Sequence, residues 1–304
     1  MDKVFVIIVT YNGKQWYDSC FGSLRLSEIP VNTIVFDNAS SDDTVSYIKQ
    51  YFPEVIIFES NVNLGFGQGN NKGIRYALDN SADYVFLLNQ DAWIEPDTIA
   101  ELVRIQKENP AYGILSPMNL TAEKNSILNG FIEYIVDYNN TDCKLVDDLY
   151  FNRLRDIYDI KSVNAASWLL SRGILETVGG FDPIFFHYGE DDNYLQRSHY
   201  HDFKVGICPK VSLVHDAEVS NQFNQNIREG ANKRNLLLIC ADINNNLTPD
   251  RYIKFLVIKL LKKTFTIKFK TLNQYYTELK YLLSVRNEIN YSRKTNIVKG
   301  ENWL

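Results

Sequence analysis

From Val4 to Met118 the chain alternates short apolar runs with longer stretches of helical pattern. The runs are VFVIIVT, NTIVFD, VIIFES, YVFLLN and YGILSPM. Between them lie KQWYDSCFGSLRL, DDTVSYIKQYF, FGQGNNKGIRYALDN and PDTIAELVRIQKEN. Strands that are apolar throughout, separated by helices, predict an open, mainly parallel α/β sheet flanked by helices on both faces. A strand covered on both faces has no solvent side on which to alternate. Such a sheet also fixes where a ligand goes, because parallel strands bring their carboxyl ends to one edge and ligands bind there. Four polar clusters fall on that edge: Thr10-Tyr11-Asn12, Asp37-Asn38, Asn61 to Asn63, and Asn89-Gln90-Asp91.

The 304 residues, 45% hydrophobic, are enough to bury a large core. Cys20, Cys143, Cys208 and Cys240 lie far apart with no CxxC, which fits reduced thiols and a cytoplasmic setting. The N-terminal apolar run is too short for a signal-peptide core, and no run is long enough for a membrane helix. The net charge of -5 is unevenly placed. Residues 251–304 carry 12 Lys+Arg against 3 Asp+Glu, or +9, so the first 250 residues carry -14. The acidic body excludes nucleic acid as a partner, whereas the basic end suits anionic lipid.

Residues 119–160 are polar and weakly periodic and read as an insertion. After it, SVNAASWLLSRGILETVGG returns to strand-then-helix character, and GEDDNYLQRSHYHDF suits a helix with its acids at the start. KVGICPKVSLVHD reads as a strand, a proline turn and a second strand ending on His215. From Asn221 onward the pattern is helical.

Several of these residues carry chemistry. Asp37 at a strand end can accept the N–H of a pyrimidine, with Tyr11 as a flat face for the base; turn and cap chemistry explains the same composition. Gly65, Gly67, Gly69 and Gly73 surround Asn70-Asn71-Lys72, where helix-start amides can face phosphate, although the spacing matches no P-loop. Asp91 can hold a divalent metal that bridges two phosphates. Glu190, Asp191 and Asp192 repel one another, which raises proton affinity and suits a general base; an acidic first helical turn is the plainer reading. His215 is a candidate metal or phosphate contact.

Taken together, VIIVTYNG, VFDNASSDDT, NLGFGQGNNKGI, FLLNQDAWIEPD, GGFDPIFFHYGEDDNYLQR and VSLVHD resemble glycosyltransferase family 2, near its rhamnosyltransferase-like bacterial branch. The resemblance spans about residues 3–240 and implies a GT-A fold. It further implies a nucleotide-diphosphate sugar donor (UDP- or dTDP-), a saccharide or lipid-linked acceptor, Mn2+ or Mg2+, and inversion. By matching position, Thr10, Tyr11, Asn12, Asp37, Asn38, Gly65, Asn70, Lys72, Asn89 and Gln90 would bind the nucleotide sugar. Asp91 and His215 would bind metal, and Asp191 would be the base beside Glu190 and Asp192. On this reading residues 1–220 form the GT-A domain, with a Rossmann-like nucleotide-binding half (1–118), the insertion (119–160) and an acceptor half (161–220). Residues 221–304 form a basic helical extension.

Two positions depart from the family pattern: Asn89-Gln90-Asp91 has a single carboxylate, and the acidic motif ends on Asn193. The QxxRW motif of processive members is absent, which implies single addition. The rival readings are a nucleotidyltransferase, against which the loop TYNGKQW counts, and a non-catalytic carbohydrate-binding or scaffold protein. Near the C-terminus Lys254, Lys259, Lys262, Lys263, Lys268 and Lys270 interleave with Phe255, Leu256, Ile258, Leu260, Leu261 and Phe265. That pattern fits a helix on the cytoplasmic face of an anionic membrane and, equally, an amphipathic helix packed on the body.

Overall fold

The computed structural model describes residues 2–136, 143–217, 225–263 and 269–304. The first half runs β1 (Val4–Thr10), α1 (Tyr17–Arg25), β2 (Val31–Asp37), α2 (Thr44–Tyr51), β3 (Ile56–Glu59), α3 (Gly65–Asp79) and β4 (Tyr84–Leu88). Next come β5 (Ala92–Ile94), α4 (Thr98–Glu108), β6 (Tyr112–Leu120), α5 (Asn129–Ile135), α6 (Leu145–Tyr150) and β7 (Tyr158–Asp159). The remainder is β8 (Ser167–Ser171), α7 (Arg172–Val178), α8 (Glu190–Tyr200), β9 (Lys204–His215), α9 (Gln225–Ala241), α10 (Pro249–Lys263) and α11 (Phe269–Ile297).

The strands form one sheet in the order β3-β2-β1-β4-β8-β6-β9-β5, with β7 paired to β9. As the sequence leads one to expect, β3, β2, β1 and β4 are parallel. Beyond β4 the sheet is mixed: β8 runs antiparallel to both β4 and β6, and β9 is parallel to β6. Apolar runs cannot reveal this change, since a strand buried on both faces looks the same in either direction. Strand β1 shows the two-sided burial residue by residue. Phe5 and Ile7 enter the core layer that includes Ile74 of α3, while Val4, Val6 and Ile8 enter the layer that includes Phe21 of α1 and Ile48 of α2.

Two sequence expectations change. KVGICPKVSLVH is one strand rather than two, with a bulge between the Cys208 and Ser212 pairings that absorbs Pro209, whose missing N–H a ladder cannot use. The glycines of α3 are packing residues. A Cβ on Gly73 would meet Ile7 at 2.6 Å, one on Gly69 would meet Val9 at 3.0 Å, and one on Gly67 would meet Phe181 at 2.9 Å. Bare glycine lets the helix lie directly on the sheet. The amides at its start are already satisfied, Leu64 N–H by Asn38 Oδ1 at 3.0 Å and Gly65 N–H by Asn63 Oδ1 at 2.8 Å.

The segment 119–160 contributes buried Phe131, Ile135 and Leu145 to the core. At the far end, α9, α10 and α11 bury Leu236, Leu237, Leu256, Leu282 and Ile289 in a cluster that includes Phe185. That cluster adjoins the loop before α8. Buried Asp182 accepts Ser292 Oγ at 2.5 Å and Asn296 Nδ2 at 2.8 Å from α11.

Candidate active site

Strand β4 stops at Leu88 because the chain turns there. Ala92 N–H donates to Asn89 O at 3.1 Å, closing a tight turn over Asn89-Gln90-Asp91. Strand β5 then pairs antiparallel with β9, placing Ala92 opposite His215, and Asp216 N–H donates to Asp91 O at 2.9 Å. This pairing brings two residues distant in sequence together. Asp91 Oδ1 lies 3.3 Å from His215 Nε2, and Asn89 Nδ2 lies 3.4 Å from the same nitrogen. His215 is buried, and its Nδ1 has no partner among the described residues.

Gln90 faces the other way. Its Oε1 accepts Tyr11 N–H at 2.9 Å and its Nε2 donates to Tyr11 O at 3.2 Å, so its amide fastens β4 to the loop after β1. A Cβ on Gly13 would fall 2.3 Å from Gln90 Oε1, which is why that loop carries glycine. Gln90 therefore supports Tyr11 from behind, and the partner of Asp91 is His215 rather than a neighbour in the turn.

The ends of β1 and β2 form the adjoining part of the edge. Asp37 Oδ1 accepts Thr10 Oγ1 at 2.9 Å and Ser40 Oγ at 2.6 Å, while Oδ2 accepts Ser40 N–H at 2.9 Å. Asn12, at a positive φ of 51°, accepts Ser41 N–H at 2.8 Å. Tyr11, 49% exposed, stands above this network. Asn38 is buried and ties the loop before α3 in place through Leu64 N–H and Gly65 O. Gly65 needs its left-handed φ of 80°, and a Cβ there would lie 2.0 Å from Phe186 O.

Two other expected contacts lie elsewhere. Asn70 is buried with its Nδ2 donating to Phe66 O at 3.0 Å, within its own helix. Lys72 is exposed beside Trp303 and Leu304, in a separate depression from the one holding Asp91. Residue 72 follows Asn71, which is buried against Phe181, and turns outward on α3.

The acidic motif reaches the same edge through β8. Because β8 runs antiparallel to β4, its approach segment Asn164–Ala166 lies beside the turn, with Asn89 N–H donating to Ala166 O at 2.9 Å. Gly189, at φ 92°, turns the chain into α8. Glu190 and Asp191 then line one cleft of about 570 Å³ together with Asp91, His215, Asn89 and Trp16.

The two acids differ in their hydrogen bonds. Burial, followed by the Asp191 charge, pushes Glu190 up to about 7, and its Oε2 has no partner among the described residues. Burial also raises Asp191, but backbone N–H groups of Asp192, Ala165 and Gly189 oppose it by stabilising the carboxylate. Asp191 thus has the backbone donors that favour a carboxylate, and Glu190 Oε2 does not. Asp192 is exposed, and its N–H donates to Asp191 Oδ1 at 2.9 Å.

This arrangement has a consequence for stability. Glu190 is raised from 4.5 to about 7, so the folded protein holds its proton more tightly than the unfolded chain does. The resulting stabilisation is complete below pH 4.5 and disappears as pH rises through about 7. Glu190→Gln removes that dependence. Urea melts of the ligand-free protein are expected to show the variant gaining on wild type by roughly 3 kcal/mol between pH 4.5 and pH 8. A constant difference across that range would contradict the protonated assignment.

Other cleft residues lie within or near the quoted segments but are not singled out by the sequence reading. Trp16 donates Nε1–H to Asp216 Oδ2 at 3.0 Å and fixes the strand end after His215. His187 and Tyr188 come from the loop before α8. Arg234 of α9 lies 5.3 Å from the Tyr188 ring, and burial followed by its charge lowers His187. Arg197, the cation of the acidic motif's own helix, is buried away from the cleft and donates to Val178 O at 3.0 Å and Gly180 O at 2.7 Å.

Residues 5–148 match the family described as Glycosyl transferase family 2. Over that stretch, a little under half of the chain, it is similar to the family 2 glycosyltransferases. It is 24% identical over 220 residues to the low-salt glycan biosynthesis hexosyltransferase Agl10 of Haloferax volcanii, covering 72% of this chain and 69% of that one. It is 29% identical over 126 residues to an N-acetylglucosaminyl-diphospho-decaprenol L-rhamnosyltransferase of Mycobacterium tuberculosis, covering 38% of this chain and 41% of the relative. Its fold is shared with the mannosyltransferase PcManGT of Pyrobaculum calidifontis, solved with GDP-Man and Mn2+. The TM-score is 0.54 at 16% identity, covering 97% of this chain and 73% of that one. The chain thus has the GT-A architecture.

Proposed function

We propose that this chain transfers a sugar, with inversion, from a nucleotide-diphosphate donor to a hydroxyl of a saccharide or lipid-linked saccharide. The setting would be cell-surface polysaccharide assembly. One observation carries the reading: Asp191 shares a single cleft with the pair Asp91 and His215, whose oxygen and nitrogen are 3.3 Å apart. A hexosyltransferase and a rhamnosyltransferase among its relatives support the substrate class.

Tyr11 and Asp37 receive the base, and the Thr10–Asp37–Ser40 bonds hold the carboxylate ready for a ring N–H. Asn89 and His215 lie where the diphosphate enters the cleft. The acceptor hydroxyl donates to Asp191, which takes its proton as the hydroxyl oxygen attacks the anomeric carbon and the bond to the diphosphate breaks. Holding both reactants in one cleft replaces an encounter in solution by an aligned attack. Protonated Glu190 adds no second negative charge beside the base. With no QxxRW, and with Arg197 buried, the reading is a single addition per encounter.

Asp91 and His215 also fit a divalent ion. One carboxylate and one imidazole make a sparse pair, which suits an ion that takes the rest of its shell from phosphate oxygens and water. Nδ1 of His215 has no hydrogen-bond partner among the described residues. When bound, such an ion neutralises negative charge on a leaving diphosphate.

A thermal-shift series with UDP-, dTDP- and GDP-sugars, with and without Mn2+, tests the donor class. At about a hundred times its Kd a donor stabilises by ~2.7 kcal/mol, which raises Tm by several degrees. Slow donor hydrolysis should accompany that shift. No shift and no hydrolysis with any nucleotide sugar would overturn the reading.

A further inference from the structure

Helix α10 packs inward through Leu256, which is fully buried, with Tyr252 and Ile253 beside it. A helix that merely rests on a body turns its remaining positions to polar residues. Here the outward positions are Phe255, Val257, Ile258 and Leu261, which are 46, 38, 40 and 76% exposed. Residues 254, 257, 258 and 261 form one stripe at helical spacing, headed by exposed Lys254. Lys259 Nζ lies 5.2 Å from the Phe255 ring, at the edge of the same surface. The one carboxylate of α10, Asp250, is paired with Arg286. The surface is therefore apolar and cationic, with no uncompensated acid on its helix. The side chains of Lys262, Lys263 and Lys270, and the whole of Phe265 and Lys268, lie outside the described residues.

Charge complementarity selects the occupant. Residues 251–304 carry +9 against -14 in the rest of the chain, so the cations gather where the apolar face is exposed. A cationic helix with one apolar face inward and a second outward matches a lipid surface, where lysines meet phosphates and large apolar side chains enter the acyl boundary. We propose that α10 docks this chain on an anionic membrane surface, lying flat with Phe255, Ile258 and Leu261 in the interface. The proposal rests on the transferase reading only for its purpose, which is to bring the cleft to an acceptor carried by lipid. No helix among the described residues is long and apolar enough to cross the membrane.

Co-sedimentation of the full chain with phosphatidylcholine vesicles, alone or with phosphatidylglycerol, tests this. Wild type is expected to bind the anionic vesicles, and less so at high salt. Lys254→Gln with Lys259→Gln should weaken binding roughly 25-fold, about fivefold per lysine. Leu261→Ser should weaken it on both vesicle types without lowering Tm, since that side chain is 76% exposed. Wild-type binding that neither variant reduces would overturn the proposal. A dimer in solution that Leu261→Ser dissociates, with no vesicle binding, would overturn it in favour of self-association. Donor hydrolysis in solution should be the same in all these proteins. Its absence from all of them would sink the transferase reading and leave the vesicle result standing.

Discussion

Asp191→Asn is expected to lower turnover by about 10² to 10⁴ while leaving donor binding intact, the range that positioned general-base catalysis contributes. The substitution keeps the shape at the start of α8 but removes the carboxylate that the backbone N–H groups stabilise. Burial holds Asp191 above the usual aspartate range, so wild-type turnover should fall as pH drops through that raised value. The acid limb should be missing in the variant. Glu190→Gln is the informative contrast, because it preserves a neutral side chain at the position that already carries the proton near pH 7. It should cost far less. Near-wild-type turnover in Asp191→Asn, or a loss in Glu190→Gln as large, would move the base to another group.

The parallel half of the sheet was legible because uniform burial on two faces leaves an unmistakable mark: five apolar runs and polar strand ends. Direction was not legible beyond β4. Strand β8 is as apolar as its neighbours, and only its pairing with Leu88 through Ser167 reveals that its start, not its end, reaches the ligand edge. The three-residue strand β5 is too short to register in any pattern, yet it alone places Asp91 against His215. Gln90 and the α3 glycines misled for a related reason. An amide or a glycine beside a ligand edge looks functional in sequence, and only packing shows it bracing Tyr11 or admitting Ile7. His187 stood inside the quoted acidic segment without being singled out, and Arg234, which lies against Tyr188, comes from a distant helix that no motif marks.

The Asp91–His215 pair supports the second large expectation. Asp91 brings the only negative charge to the pair, so Asp91→Asn should reduce turnover by roughly 10³, in keeping with the several kcal/mol that a bound cation gives to charge on a leaving group. His215→Gln, which removes the imidazole but leaves the carboxylate, should cost less. Treating wild type with excess chelator should impose the same loss as Asp91→Asn, and chelator should do nothing further to that variant. Two perturbations that act through one ion cannot add, whereas independent ones would multiply. The cycle therefore separates two roles for this carboxylate. If chelator and Asp91→Asn prove additive, Asp91 acts by orienting His215 through their 3.3 Å contact, and the ion belongs to another site. If wild type keeps full turnover in chelator, the pair works without any ion, and the sparse donor set created by Asn89 and Gln90 is the reason.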